Sequence, residues 1–103
     1  MTTMYAFIQN VPIDEQFYRR VRELIGPEPL SGQLLHLCMR LPEGGLRYID
    51  VWESEELFQR AFGDRILPAV DAAFGGNRPD REPDIQPLDI IDASGPLLAA
   101  TSR

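Results

Sequence analysis

Lysine is absent from the 103-residue chain, and its ten basic residues, all arginine, are scattered along it. A protein that tracks a phosphate backbone needs a basic stripe. With a net charge of −6, the chain is not expected to bind nucleic acid. Cysteine and histidine occur once each, as Cys38 and His36. The first excludes an intrachain disulfide and any multi-cysteine metal cluster, the second the two-histidine zinc patterns, so no metal is expected. No run approaches the ~18 apolar residues of a membrane span, and no basic segment followed by an apolar one opens the chain. These absences point to a cytoplasmic protein with no membrane partner.

What is present is an ordinary globular composition, 44% hydrophobic and 25% charged, without repeats or low-complexity stretches. A domain of this size buries only about two-thirds of the surface its unfolded chain exposes, so pairing with a second copy would be a natural remedy.

Met4 to Gln9 is rich in β-branched and aromatic residues and predicts a first strand, ended by Pro12. Asp14 is an N-cap for a helix over Glu15 to Ile25, whose Phe17, Val21, Leu24 and Ile25 form an apolar stripe stopped by Gly26-Pro27. In Gln33 to Leu41 the alternation puts Leu35, Leu37, Met39 and Leu41 on one face and Leu34, His36, Cys38 and Arg40 on the other. Pro42-Glu43-Gly44-Gly45 is a hairpin signal leading into a third strand over Leu46 to Glu53. Ser54 caps a second helix with Glu55 and Glu56 in its first turn. Pro68 is expected to kink or restart that helix, the second segment running over Ala69 to Phe74. A breaker-rich loop, Gly75 to Pro83, precedes a last strand around Ile85 to Asp92, where Pro87 suits an edge.

The order β-α-β-β-α-β is the ferredoxin-like plan, an α+β fold. One domain is expected over residues 1–92, with a tail over 93–103 that frays or clasps a partner. Both helices must cover one face of the sheet. Leu35, Leu37, Met39, Leu41, Ile49 and Val51 leave the other face apolar, which predicts a homodimer through the sheet.

The stretch Gly45-Leu46-Arg47-Tyr48-Ile49-Asp50-Val51-Trp52-Glu53-Ser54-Glu55-Glu56-Leu57-Phe58 carries a strand through a Val-Trp-Glu-Ser corner into an acidic helix start. It resembles the dimeric α+β barrel superfamily, in particular the antibiotic-biosynthesis monooxygenase family and its uncharacterised actinobacterial relatives. The resemblance spans Met4 to about Asp92. It implies a small-molecule pocket between sheet and helices, and activities among cofactor-free monooxygenation of aromatic polyketides, haem degradation, polyketide cyclisation and lactone isomerisation or dechlorination. In the haem-degrading branch the catalytic set is an Asn ending strand one, a Trp at this corner and a His on helix two. Asn10 and Trp52 match the first two, whereas Phe62 stands in place of the His.

His36 is of the one type whose charge changes near neutral pH, and Asp50 lies on the strand expected to pair with its own. One hairpin register sets His36 against Asp50, Cys38 against Tyr48 and Leu34 against Trp52. A slip of one residue would put Asp50 beside Leu37. In the first register His36, Tyr48, Asp50 and Trp52 share the helix-facing side. There Asp50 could orient the imidazole as a general base toward a phenol or an acidic carbon. The same pair also reads as two polar groups satisfying one another inside the fold. Tyr48 and Trp52 suit either a planar ligand or ordinary core, as do Phe58 and Phe62 one helical turn apart. Arg40 could bind a carboxylate or enolate or sit as a solvated tip. Cys38 reads as a small buried hydrophobe, and Asp84, Asp89 and Asp92 as a solvated sheet edge. Two functions stay open: a cofactor-free enzyme acting on an apolar, aromatic metabolite by oxygenation, cyclisation or isomerisation, and a non-catalytic dimeric ligand-binding or accessory protein.

Overall fold

A computed structural model describes residues 4–76 and 84–95. The elements are β1 (Tyr5–Val11), α1 (Glu15–Ile25), β2 (Gln33–Arg40), β3 (Leu46–Trp52), α2 (Glu55–Ala61), a π-helical turn (Phe62–Ile66), α3 (Leu67–Ala73) and β4 (Asp84–Leu88). The strands form one antiparallel sheet in the order β2-β3-β1-β4, the ferredoxin-like α+β arrangement. The loop expected over Gly75 to Pro83 and the tail beyond Gly95 lie largely outside the described residues.

Local chemistry sets the helix limits. The Asp14 carboxylate accepts the Phe17 amide at 2.7 Å and the Ser54 hydroxyl accepts the Leu57 amide at 3.2 Å, so both expected caps are in place. Pro68 has no N–H and its ring would collide with the carbonyl of Asp64 in a regular helix. The chain widens instead: the Leu67 amide reaches back to the Phe62 carbonyl, five residues away, and α3 starts with Pro68 in its first turn. Among the described residues, no helix is long and apolar enough to cross a membrane.

The hairpin between β2 and β3 turns on Gly44 and Gly45, both at positive φ (106° and 86°), with Leu41 donating to the Gly45 carbonyl at 3.1 Å. It sets His36 opposite Asp50 and Cys38 opposite Tyr48. Farther along, the expected pairing of Leu34 with Trp52 is corrected: a bulge between Gln33 and Leu35 puts Gln33 opposite Trp52. At the far edge β4 stops at Leu88, short of the expected Asp92. Leu88 already pairs with Ala6, and β1 begins one residue earlier, so the partner strand runs out. Pro87 does sit on this edge strand, as its missing donor requires.

The core lies between sheet and helices. Phe7, Leu30, Trp52, Phe58 and Ala61 are its buried centre, with Tyr5, Ile25, Phe62, Ile66 and Ile85 packed around it. Phe58 brings α2 onto the sheet, its ring centre 5.0 Å from Phe7 and 5.3 Å from Trp52. The opposite face is uncovered, with Leu37 44% exposed and Leu35, Met39, Ile49 and Val51 half-buried.

Candidate functional site

Asp50 is the centre of a polar network on the helix-facing side of β2 and β3. Inward alternation on β3 sends Tyr48, Asp50 and Trp52 to one side, and the register sets His36 across from Asp50. Asp50 is buried, with 5% of the residue exposed. One oxygen meets His36 Nδ1 at 2.7 Å, and the other accepts from Trp52 Nε1 at 3.1 Å and from Gln33 Nε2 at 3.4 Å. An ionised carboxylate only accepts, so His36 Nδ1 is the donor to it, and in the neutral imidazole Nε2 then keeps its lone pair. Nε2 is 2.8 Å from the Tyr18 hydroxyl, which donates to it when the imidazole is neutral. Among the described residues no buried side-chain nitrogen or oxygen lacks a partner.

Aromatic rings enclose the imidazole. Tyr48 packs on both His36 and Tyr18, at ring centres of 5.3 Å and 5.6 Å, and the Tyr18 and His36 planes are within 11° of parallel. Burial pushes the Tyr48 phenol well above its usual range, with Cys38, Tyr18 and Asp50 adding to the effect. Burial also raises Tyr18, against the opposing pull of Arg22, and raises the Cys38 thiol, against the opposing pull of Tyr18. The half-buried Cys38 is thereby biased toward the thiol rather than the nucleophilic thiolate.

These shifts have a stability consequence. A phenol whose folded pKa lies above its unfolded value contributes stability that is complete below about pH 10 and is lost as pH rises through the folded value. Thermal melts across alkaline pH are expected to show falling stability above about pH 10, with a shallower fall in Tyr48→Phe.

The structure brings together four of the residues singled out from sequence, His36, Asp50, Tyr48 and Trp52. Phe58 is in the core directly behind Trp52, and Phe62 packs on Phe58 at 5.8 Å. Arg40 is elsewhere: its side chain is 78% exposed and pairs with Glu15 at the start of α1. Arg19 and then Arg40 hold the Glu15 carboxyl below the usual range. Asn10 is on the wrong face. Phe7 points inward, so alternation turns Asn10 outward, where it accepts from Arg47 Nε at 2.9 Å, and the sheet separates it from Trp52. Two members of the network were missed in the sequence, Tyr18 and Gln33. Tyr18 stands three residues before Val21 and seven before Ile25, a spacing that places it on the buried side of α1.

A surface depression of about 280 Å³ lies between α1 and α3, lined by Leu24, Ile25 and Pro68 among others. Another of about 180 Å³ lies beside α2, lined by Ser31, Leu57 and Arg60 among others. Neither borders His36 or Asp50.

No protein-family model and no curated protein matches the chain. Solved structures do, and they are antibiotic-biosynthesis-monooxygenase-like proteins and others of their fold. An antibiotic biosynthesis monooxygenase-like protein from Caulobacter crescentus aligns with a TM-score of 0.64 at 16% identity, over 88% of this chain and 92% of that one. SnoaB of Streptomyces nogalater, a cofactor-independent oxygenase, aligns with a TM-score of 0.59 at 16% identity, over 87% and 95%. A protein of unknown function from Nitrosomonas europaea aligns with a TM-score of 0.63 at 19% identity, over 93% and 96%. At these identities the likeness is one of fold.

Proposed function

We propose that this protein is a homodimeric enzyme that deprotonates an apolar, aromatic or polyketide-like metabolite without a bound cofactor, leading to oxygenation, cyclisation or isomerisation. The observation that carries this reading is the 2.7 Å contact of His36 Nδ1 with the buried Asp50 carboxylate, which in the neutral imidazole leaves a basic Nε2 on the helix-facing side. Tyr48 serves as a wall of the site and the Trp52 indole as a positioning group, anchoring the Asp50 carboxylate from the core side. In the oxygenation variant a ring CH2 is deprotonated to an enolate and dioxygen takes the electrons. One oxygen atom becomes the ring carbonyl and the other leaves as water. That SnoaB shares the fold and works without a cofactor supports this variant.

The dimer is assigned to the uncovered sheet face, where Leu35, Leu37, Met39, Ile49 and Val51 would meet their counterparts. Light scattering is expected to give a dimer for the wild type and a monomer for Leu37→Glu. A monomeric wild type would remove the assembly from the proposal.

A second reading has an observation in its favour. The two depressions border neither His36 nor Asp50, and the polar network is satisfied within the fold, as in a non-catalytic accessory protein. Dioxygen uptake with a hydroxylated anthrone, whose ring CH2 is acidic, separates the two. The enzyme reading expects uptake above the buffer rate, reduced at least about 100-fold by His36→Ala and strongly by Asp50→Asn. Uptake that survives both substitutions, or never exceeds buffer, leaves the accessory reading.

A further inference from the structure

We propose that Tyr18 is the group that takes the substrate's proton and that His36 acts through it; the inference rests on the base-assisted chemistry above and names its terminal atom. In the resting site neither nitrogen of His36 is free. Nδ1 is bound to Asp50 at 2.7 Å and Nε2 to the Tyr18 hydroxyl at 2.8 Å, which in the neutral imidazole caps its lone pair. A substrate could meet Nε2 only by displacing Tyr18, whereas the phenolic oxygen, while donating, keeps lone pairs with which to accept.

The burial order agrees. Trp52 is fully enclosed, the Asp50 side chain is 7% exposed and that of His36 18%, while Tyr18, on α1, is also partly exposed. The hydrogen-bond chain thus runs from the buried Trp52 and Asp50 through His36 to the tyrosine oxygen on α1. Tyr48 packs against both terminal rings and holds their relative position.

The step balances. The substrate's C–H or phenolic proton passes to Tyr18 Oη as the Tyr18 proton passes to His36 Nε2. The substrate is left as an enolate or phenolate, and the imidazolium is held against the Asp50 carboxylate. Nothing is oxidised or reduced in this step. Because burial disfavours a standing phenolate at Tyr18, the two transfers are coupled, and the negative charge rests on the substrate. His36 is then a positioning and proton-accepting residue one bond removed from the reaction.

Deuterium exchange of the ring CH2 of a hydroxylated anthrone, followed by NMR in anaerobic deuterium oxide, reads proton abstraction apart from oxygenation. Tyr18→Phe is expected to slow exchange at least about 100-fold, close to the effect of His36→Ala, while near-UV dichroism and anthrone binding stay as in the wild type. If Tyr18→Phe exchanges at the wild-type rate while His36→Ala does not, His36 meets the substrate itself; the inference falls and the base-assisted reading stands. A wild-type rate equal to buffer overturns both. Should Tyr18→Phe fail to fold, loss of tritium from the ring-tritiated anthrone with wild-type protein is expected to be slower in deuterium oxide than in water, because the exchangeable Tyr18 O–H moves in the same step. A rate independent of the solvent isotope overturns the inference.

Discussion

Truncating Trp52 to Ala is expected to lower stability by about 3–5 kcal/mol, as large aromatic truncations in a packed core do. The side chain has 0% exposure and lies in the buried cluster, edge-on to Phe58 at 5.3 Å. Its removal takes away an aromatic contact surface and also the indole N–H that donates to Asp50 at 3.1 Å. Trp52→Phe separates the two effects, because it keeps most of the ring volume and leaves one buried acceptor short of a donor, at about 1–3 kcal/mol. Urea unfolding followed by far-UV dichroism checks both. A Trp52→Ala midpoint close to wild type would mean that the indole is not a core anchor.

Asp50→Ala is expected to cost a similar amount, about 3–5 kcal/mol, for a different reason. The carboxylate is the shared acceptor of the His36, Trp52 and Gln33 donors, and its removal leaves all of them inside the fold without that partner. His36→Ala leaves the carboxylate with two remaining donors and is expected to cost less. Because the residues share one network, the double substitution is expected to depart from additivity by about 0.5–3 kcal/mol. Additive losses in urea unfolding would contradict a coupled pair.

The fold was legible because its determinants are local and periodic. Asp14 and Ser54 announce helix starts, Gly44-Gly45 closes a hairpin, and period-two alternation in Gln33 to Arg40 separates the two sheet faces. The same alternation puts His36 and Asp50 on a common face in one of the two hairpin registers, the one the structure has. What escaped depends on information that alternation does not carry. The bulge at Leu34 changes register within a strand and gives Gln33 its reach to Asp50. Tyr18 meets His36 through the docking of α1 on the sheet, which strand patterns do not describe, although its helical spacing from Val21 and Ile25 was a usable signal. Asn10 shows the opposite failure. A motif position matched it to a site, but its parity with Phe7 turns it to the other face.

The role of Tyr18 and that of Asp50 meet in the tautomer of one side chain, and His36 is the only histidine in the chain. Long-range proton–nitrogen correlation spectra of uniformly labelled protein at about pH 9, where an imidazole is neutral, read that tautomer without assignment ambiguity. The expected result is a protonated Nδ1 and a lone-pair Nε2, with the Nε2 resonance shifting in Tyr18→Phe and the tautomer preference weakening in Asp50→Asn. A protonated Nε2 in the wild type, or the mixture of tautomers of a free imidazole, would contradict a His36 base held by Asp50.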